Sequence, residues 1–371
     1  MPRGNLHRKD GQTGFRQAAG RAPAIAGISR RRFLEDELTL LLGAVPSPRD
    51  RQVVRRILGW DGRGGCPIKH AGDEFGITRE RARQVYARAV GQIRSRLTGA
   101  LLDRVLHFVQ GRCNQSARSI EAELQHRGFT RHRFALPALV KTAHLFRRKP
   151  GFTLEQAGDR LFAVAGPGVV RAVLRAVQRS GTYYGVQTVS EIGVAIGPRY
   201  RTSRDPLLVR QILETRSDVR WLDADQEWFW LAALPRNPVV RCVQKLLAFA
   251  SPASIADLER AILRLPRQRN RPVPHEAILR FCRQAPFCRV RGAAVELQPL
   301  YRPANLVSRA EAAVCRILRQ HGGELSFERL RASCGPAGIT QPNLWRIVLH
   351  SPLVFRSAPG TYRLITASQI R

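Results

Sequence analysis

Apolar residues in the first hundred positions recur at helical spacing. Phe33, Leu34, Leu38, Leu41 and Leu42 fall on one face and predict a helix over 31–43, ended by Pro46 and Pro48. Val53, Val54, Ile57 and Leu58 predict a second helix over 49–59. A glycine-rich turn follows at 61–65, then two helices over 67–75 and 78–97 with Gly76 between them. Gly76 stands where the chain must turn, a position that often needs positive φ, and Gly72 where the next helix crosses closest. In the fourth helix Ala82, Val85, Ala89 and Ile93 form the inward stripe, and Thr78 is placed to cap its start.

Beyond residue 99 the rhythm changes. The last stretch reads as a helix over 310–320, a short extended piece at 325–326, helices over 327–332 and 341–350, and two strands, 353–355 and 361–364, joined across Pro359-Gly360. The same order is legible upstream: helices at 239–249, 254–263 and 275–283 precede strands at 287–290 and 294–297. Before that, segments at 169–178, 189–192 and 207–215 precede strands at 218–222 and 228–231. A first copy from Leu101 to about Ala163 is the faintest. Phe162, Leu231, Leu297 and Leu364 close the four copies at intervals of 69, 66 and 67 residues, a steadiness that points to duplicated domains. Three helices followed by a hairpin is the winged-helix order, and a generic small α+β unit is the other reading of the same pattern. The expected fold is mainly α with small β-hairpins. Its parts are a basic, disordered tail at 1–30, a helical domain at 31–98, and winged-helix-like units at 99–165, 166–235, 236–300 and 301–371.

Charge narrows the partner. The chain of 371 residues carries a formal net charge of +34. Such a surplus draws polyanions in a salt-dependent way, with nucleic acid ahead of anionic membrane. Only five of the 62 basic residues are lysines, which leaves a coding bias toward arginine as an alternative source for part of it. The surplus is spread: residues 1–98 hold 20 basic and 9 acidic side chains, the remainder 42 and 19. No window of about 18 uncharged apolar residues exists, so no membrane span is expected. The seven cysteines are scattered without C-x-x-C spacing and read as buried thiols, not as a zinc site or a disulfide framework.

The segment that carries chemistry runs from Pro67 to Leu97. Opposite its buried stripe the fourth helix presents Arg79, Glu80, Arg83, Gln84 and Arg88. Arginine can fork onto guanine, glutamine onto adenine, and glutamate can accept from cytosine, so these are major-groove reading types. Their clustering in the first turns fits a recognition helix inserted by its N-terminal end. The string F-G-I-T-R-E-R-A-R-Q-V, Phe75 to Val85, resembles region 4 of sigma-70-type RNA polymerase sigma factors. So does the upstream run Pro48-Arg49-Asp50-Arg51-Gln52-Val53-Val54 followed by Gly59-Trp60-Asp61-Gly62. The resemblance covers roughly residues 46–97. It implies a helix-turn-helix bound to double-stranded DNA of promoter type, in a bacterial cytoplasm and nucleoid, with core RNA polymerase as a further partner. By it, Arg79, Glu80 and Gln84 face bases, Arg83 and Arg88 bases or phosphate, Arg81 phosphate, and Thr78 caps the helix and touches backbone. Tyr86 and Ala82 depart from the family pattern. The residues before the match are too few and too polar for the family's polymerase-gripping and melting region, so a sigma-like reading head is expected, not a complete sigma factor.

Other signals weigh less. Asp223, Asp225 and Glu227 could suggest a metal cluster, but they fall between hairpin strands, where acids serve as turn formers. Trp221, Trp228, Phe229 and Trp230 could stack on bases, although a dense aromatic hairpin more often packs on its own domain's core. There is no Walker loop, no G-x-S-x-G and no H-E-x-x-H, so no enzyme and no cofactor are expected. The leading function is a sequence-specific DNA-binding regulator. The alternative is a DNA-bound adaptor whose repeats dock a protein. The third helices of the repeats, with Arg280, Arg283 and Arg346, are expected to hold the most exposed basic side chains.

Overall fold

The computed structural model describes residues 33–94, 100–197, 205–225, 227–268, 270–301 and 306–365. The expected basic tail lies outside them. Four helices open the described chain: α1 (Leu34–Leu42), α2 (Pro48–Leu58), α3 (Ile68–Glu74) and α4 (Arg79–Arg94). Their ends follow local chemistry. Ser47 caps α2 by accepting from the Asp50 N–H, Pro48 starts it, and Gly59 closes it at φ 79°, where only glycine is unstrained. The 61–65 turn is glycine-rich for the same reason, with Gly62, Gly64 and Gly65 all at positive φ.

Four copies of one topology follow. The first is α5 (Ala100–Gln110), β1 (Gln115–Ser116), α6 (Ala117–His126), α7 (Leu136–Leu145), β2 (Thr153–Ala157) and β3 (Arg160–Val164). The second is α8 (Val169–Tyr184), β4 (Val186–Thr188), α9 (Val189–Ala195), α10 (Pro206–Leu213), β5 (Val219–Trp221) and β6 (Trp228–Leu231). The third is α11 (Pro238–Phe249), β7 (Ala253–Ser254), α12 (Ile255–Leu263), α13 (His275–Gln284), β8 (Cys288–Arg291) and β9 (Ala294–Leu297). The fourth is α14 (Arg309–Gln320), β10 (Glu324–Ser326), α15 (Phe327–Cys334), α16 (Gln341–His350), β11 (Val354–Ala358) and β12 (Thr361–Leu364). Every copy builds an antiparallel three-stranded sheet in which the first short strand pairs with the last strand of the hairpin.

The short first strand was legible only in the fourth copy. A two- or three-residue strand carries no alternation of its own; its signal is the residue that ends it. Ser116, Thr188, Ser254 and Ser326 each finish that strand and cap the next helix, accepting from the N–H of Ser119, Glu191, Asp257 and Arg329. One hydroxyl thus ends a strand and starts a helix four times over, which supports duplication more strongly than the spacing does.

The repeats are not beads. One apolar core runs from Leu34 to Ala163 and joins the first four helices to the first repeat. The Trp60 indole N–H donates to Thr142 Oγ1 at 2.7 Å within it, and the Leu34 N–H donates to Phe129 O at 2.9 Å. The aromatic hairpin β5–β6 divides its side chains: Phe229 packs in its own repeat, whereas Trp230 meets Phe281 of the third at 4.8 Å and donates to Gln284 Oε1. The expectation of packing on its own domain's core holds for Phe229 and Trp221 and fails for Trp230, because alternate residues of a strand face opposite sides. Asp223 is a turn former: its Oδ1 accepts from the N–H groups of Glu227 and Trp228 at 2.9 and 3.1 Å. Helix α8 continues past 178 to Tyr184. Gly181 within it is a close crossing, since a Cβ there would lie 2.7 Å from Gln187 Nε2. At the next junction the buried Asn237 caps α11 through Oδ1 and donates from Nδ2 to Gly185 O at 2.9 Å. Asn237→Ala leaves both helix ends with unmet polar groups and is expected to cost about 1–3 kcal/mol, read by urea unfolding. An unchanged midpoint would show that water replaces the amide.

Candidate nucleic-acid interface

The turn between α3 and α4 sets the geometry of the candidate site. Helix α3 ends at Phe75, Gly76 takes φ 61°, and the Ile77 N–H donates back to Gly72 O at 2.9 Å. Gly72 is buried directly beneath this turn. A Cβ on it would sit 2.8 Å from Ile77 O, so the small residue is required by the turn's own backbone as well as by helix crossing. Gly72→Val is expected to destabilise the head by about 1–3 kcal/mol and to displace α4 from α3; thermal unfolding with hydrogen exchange on α3 and α4 reads it, and wild-type stability would show that the turn can open without cost.

The inward stripe of α4 is as expected, with Ala82, Val85, Ala89 and Ile93 buried. Thr78 stands at its start: Oγ1 accepts from the Arg81 N–H at 3.2 Å and its carbonyl from the Ala82 N–H at 2.9 Å. Thr78, Arg79, Glu80, Arg81, Arg83, Gln84 and Arg88 are all exposed, so α4 carries every candidate side chain to solvent.

They do not form a uniform row. Glu80 accepts from Arg83 Nε at 2.8 Å and Nη2 at 2.6 Å, and Gln84 Nε2 approaches Glu80 Oε1 at 3.5 Å. The Arg83 hydrogen bonds hold the Glu80 carboxyl below the usual carboxylate range, so it is ionised at neutral pH. Arg79, Arg81 and Arg88 make no ion pair with another described residue. The outer face therefore offers three open guanidinium groups beside a neutralised Glu80–Arg83 pair. An incoming acceptor can pull Arg83 away and release Glu80 to accept, whereas Arg79 needs no such exchange.

Sequence reasoning gave Arg49 no role of its own. Its Nη2 donates to Phe75 O, so the exposed first turn of α2 braces the α3–α4 turn from outside. Arg56 fixes the same end of α3 by donating to Glu74 Oε2 at 2.8 Å. No periodicity marks such side chains; what finds Arg49 is the backbone carbonyl left open at a helix end.

Cys242, Cys288 and Cys315 are buried thiols of the third and fourth repeats, away from α4. Burial pushes Cys242 and Cys315 up to about 12, and Cys288 is raised by its hydrogen bond with Cys282 and by burial. Such thiols are protonated and poor nucleophiles or metal ligands at neutral pH.

No protein-family model matches the chain. RNA polymerase sigma factor SigA of Clostridium acetobutylicum is similar to it, 36% identical over 73 residues. That match covers 20% of this chain and 19% of the relative, so the likeness is to a sigma-type segment. No helix among the described residues is long and apolar enough to cross a membrane.

Proposed function

We propose that the chain is a sequence-specific duplex-DNA-binding transcription regulator. In this reading α3, the Gly76 turn and α4 form a sigma region 4-like helix-turn-helix. Arg79, Glu80 and Gln84 read base edges, Arg83 and Arg88 bases or phosphate, and Arg81 phosphate. Thr78 caps α4 and offers a backbone contact. The observation that carries the reading is the exposure of all seven at the start and along the outer face of α4, beside an α3 end braced by Arg49 and Arg56. The partial likeness to a sigma factor supports it. The four repeats, with their helix–strand–helix–helix–hairpin order, are read as winged-helix-like units at 99–165, 166–235, 236–300 and 301–371, behind a head at 31–98. No catalytic role is proposed. The bacterial nucleoid is the proposed location and core RNA polymerase a proposed second partner.

A second reading, an adaptor held on DNA, is favoured at one place. Helix α16 exposes Trp345 and Leu349, one turn apart, where base-reading types would stand in a third helix that enters a groove. Apolar pairs of this kind suit a protein face. Duplex selected from a random pool by the full chain, then titrated with and without core polymerase, tests both. Enrichment of one sequence supports the regulator. Failure to enrich any sequence, with polymerase present or absent, overturns it.

A further inference from the structure

The arginines of the second repeat do not sit where a reading third helix would place them. Its third helix, α10, has one, the half-buried Arg210. Its first helix, α8, has three, Arg171, Arg175 and Arg179, all exposed and four residues apart. Several helical arginines elsewhere have a carboxylate one turn away: Arg260 has Asp257, the half-buried Arg280 has Glu276, and Arg331 has Glu328. Helix α8 contains no acidic residue, and its three arginines make no ion pair with another described residue. Like charges at this spacing repel one another, so the row weakens the isolated helix. The expectation that third helices hold the most exposed basic residues holds for Arg283 and Arg346, which are exposed. It fails for Arg280, which is paired and half-buried, and for the second repeat, whose exposed row belongs to the first helix.

The row also crosses a repeat boundary. One turn beyond Arg179 stands Tyr183, and the exposed Arg267 of the α12–α13 connection lies over its ring. Arg271, four residues further on, behaves differently. It is half-buried, bound to Glu191 and to Val186 O, and serves the junction between repeats. The two arginines separate a structural role from an open one. At 1.5 Å per residue the row from Arg171 to Tyr183 spans about 18 Å, the rise of about five nucleotides along one strand of B-DNA. The exposed Gln178 lies between Arg175 and Arg179 and the exposed Thr182 between Arg179 and Tyr183, and both are polar types that also contact phosphate. The start of α8 is already occupied, since the Glu155 carboxylate accepts from the Gly168 and Val170 N–H groups. An anion is therefore invited to the flank of the helix, not to its end.

We propose that Arg171, Arg175, Arg179 and Arg267 form a second duplex-DNA surface that grips one strand's phosphates without reading sequence. The proposal rests on the DNA-binding reading above and extends the contact from the head to the second and third repeats. An acidic protein segment is the competing occupant, because Val194 and Ala195 line an apolar wall beside the row. The regular pitch, the continuation across the repeat boundary and the polar residues between the charges favour a repeating polyanion.

The test is the triple variant Arg171→Gln/Arg175→Gln/Arg179→Gln in the full chain. Anisotropy is followed across a salt series on the selected duplex and on random duplex. Loss of three phosphate contacts is expected to flatten the log–log salt slope by about 2.7, equally on both duplexes, with base preference unchanged. The matching triple lysine variant is expected to keep the wild-type slope. Melting should be unchanged or higher, since repulsion is removed; should the triple variant fail to fold, Arg175→Gln alone is expected to flatten the slope by about 0.9. An unchanged slope with intact base preference overturns the ridge and leaves the head reading standing. A wild-type chain that binds no duplex overturns both.

Discussion

Glu311→Ala is expected to lower the stability of the C-terminal repeats by about 3 kcal/mol. Glu311 is buried, and its carboxylate accepts from Lys245 Nζ at 2.8 and 3.0 Å and from Ser351 Oγ at 2.6 Å. Lys245 belongs to α11 of the third repeat, Glu311 to α14 of the fourth, and Ser351 follows α16. The junction is extended by Arg264, which donates from Nε to Ser351 O at 2.8 Å and from Nη2 to Val348 O. Removing the carboxylate leaves a mostly buried ammonium without its counter-charge, which costs more than the pair itself contributes. The lower end of the usual range applies because Lys245 keeps 19% of its side chain in contact with solvent. Hydrogen exchange on α14 and α16 should speed up roughly a hundredfold. The double variant Lys245→Met/Glu311→Leu should recover most of the loss, as apolar replacements of buried pairs often do. Glu328→Ala, which breaks the exposed pair with Arg331, should cost about 0–1 kcal/mol. Wild-type exchange in Glu311→Ala would show that the junction is held by apolar contact alone.

That junction also marks what could be read from the sequence and what could not. Helices with an apolar stripe, such as α2 and α4, announce themselves through residues close in the chain: both bounds of α2 and the start of α4 came out within one residue, while the expected end of α4 at 97 lies outside the described residues. The candidate site was legible for the same reason: Thr78 to Arg88 lie on one short helix, where sequence spacing fixes which side chains face out. The links between repeats were not legible. Lys245 and Glu311 stand 66 residues apart, Trp230 and Gln284 54, and nothing local distinguishes them from solvated neighbours. The segment expected over 169–178 runs on to Tyr184 through Gly181, where a Cβ would crowd Gln187 and Leu234. The Glu80–Arg83 pair was hidden although its members are adjacent on the helix, because periodicity shows that two charges can meet and not whether they do.

That pair makes the base-reading assignment testable residue by residue. On duplex selected by the wild-type chain, Arg79→Ala and Gln84→Ala are each expected to lose about 1–3 kcal/mol and to relax preference at one base pair. Arg81→Ala should weaken selected and random duplex alike and reduce the salt slope by about 0.9, the signature of a phosphate contact. Glu80→Ala should behave like neither. It removes a negative charge from the surface facing DNA and frees Arg83 from bonds of 2.8 and 2.6 Å. Affinity for random duplex should therefore rise while affinity for the selected duplex falls, so the ratio between them shrinks from both sides. Arg83→Ala should leave Glu80 ionised and unpaired beside phosphate, and should weaken both duplexes. Competition titrations at fixed salt, with every variant on both duplexes, measure these differences directly. Equal losses on selected and random duplex for Arg79→Ala, Glu80→Ala and Gln84→Ala would remove base reading from α4 and leave it a purely electrostatic contact.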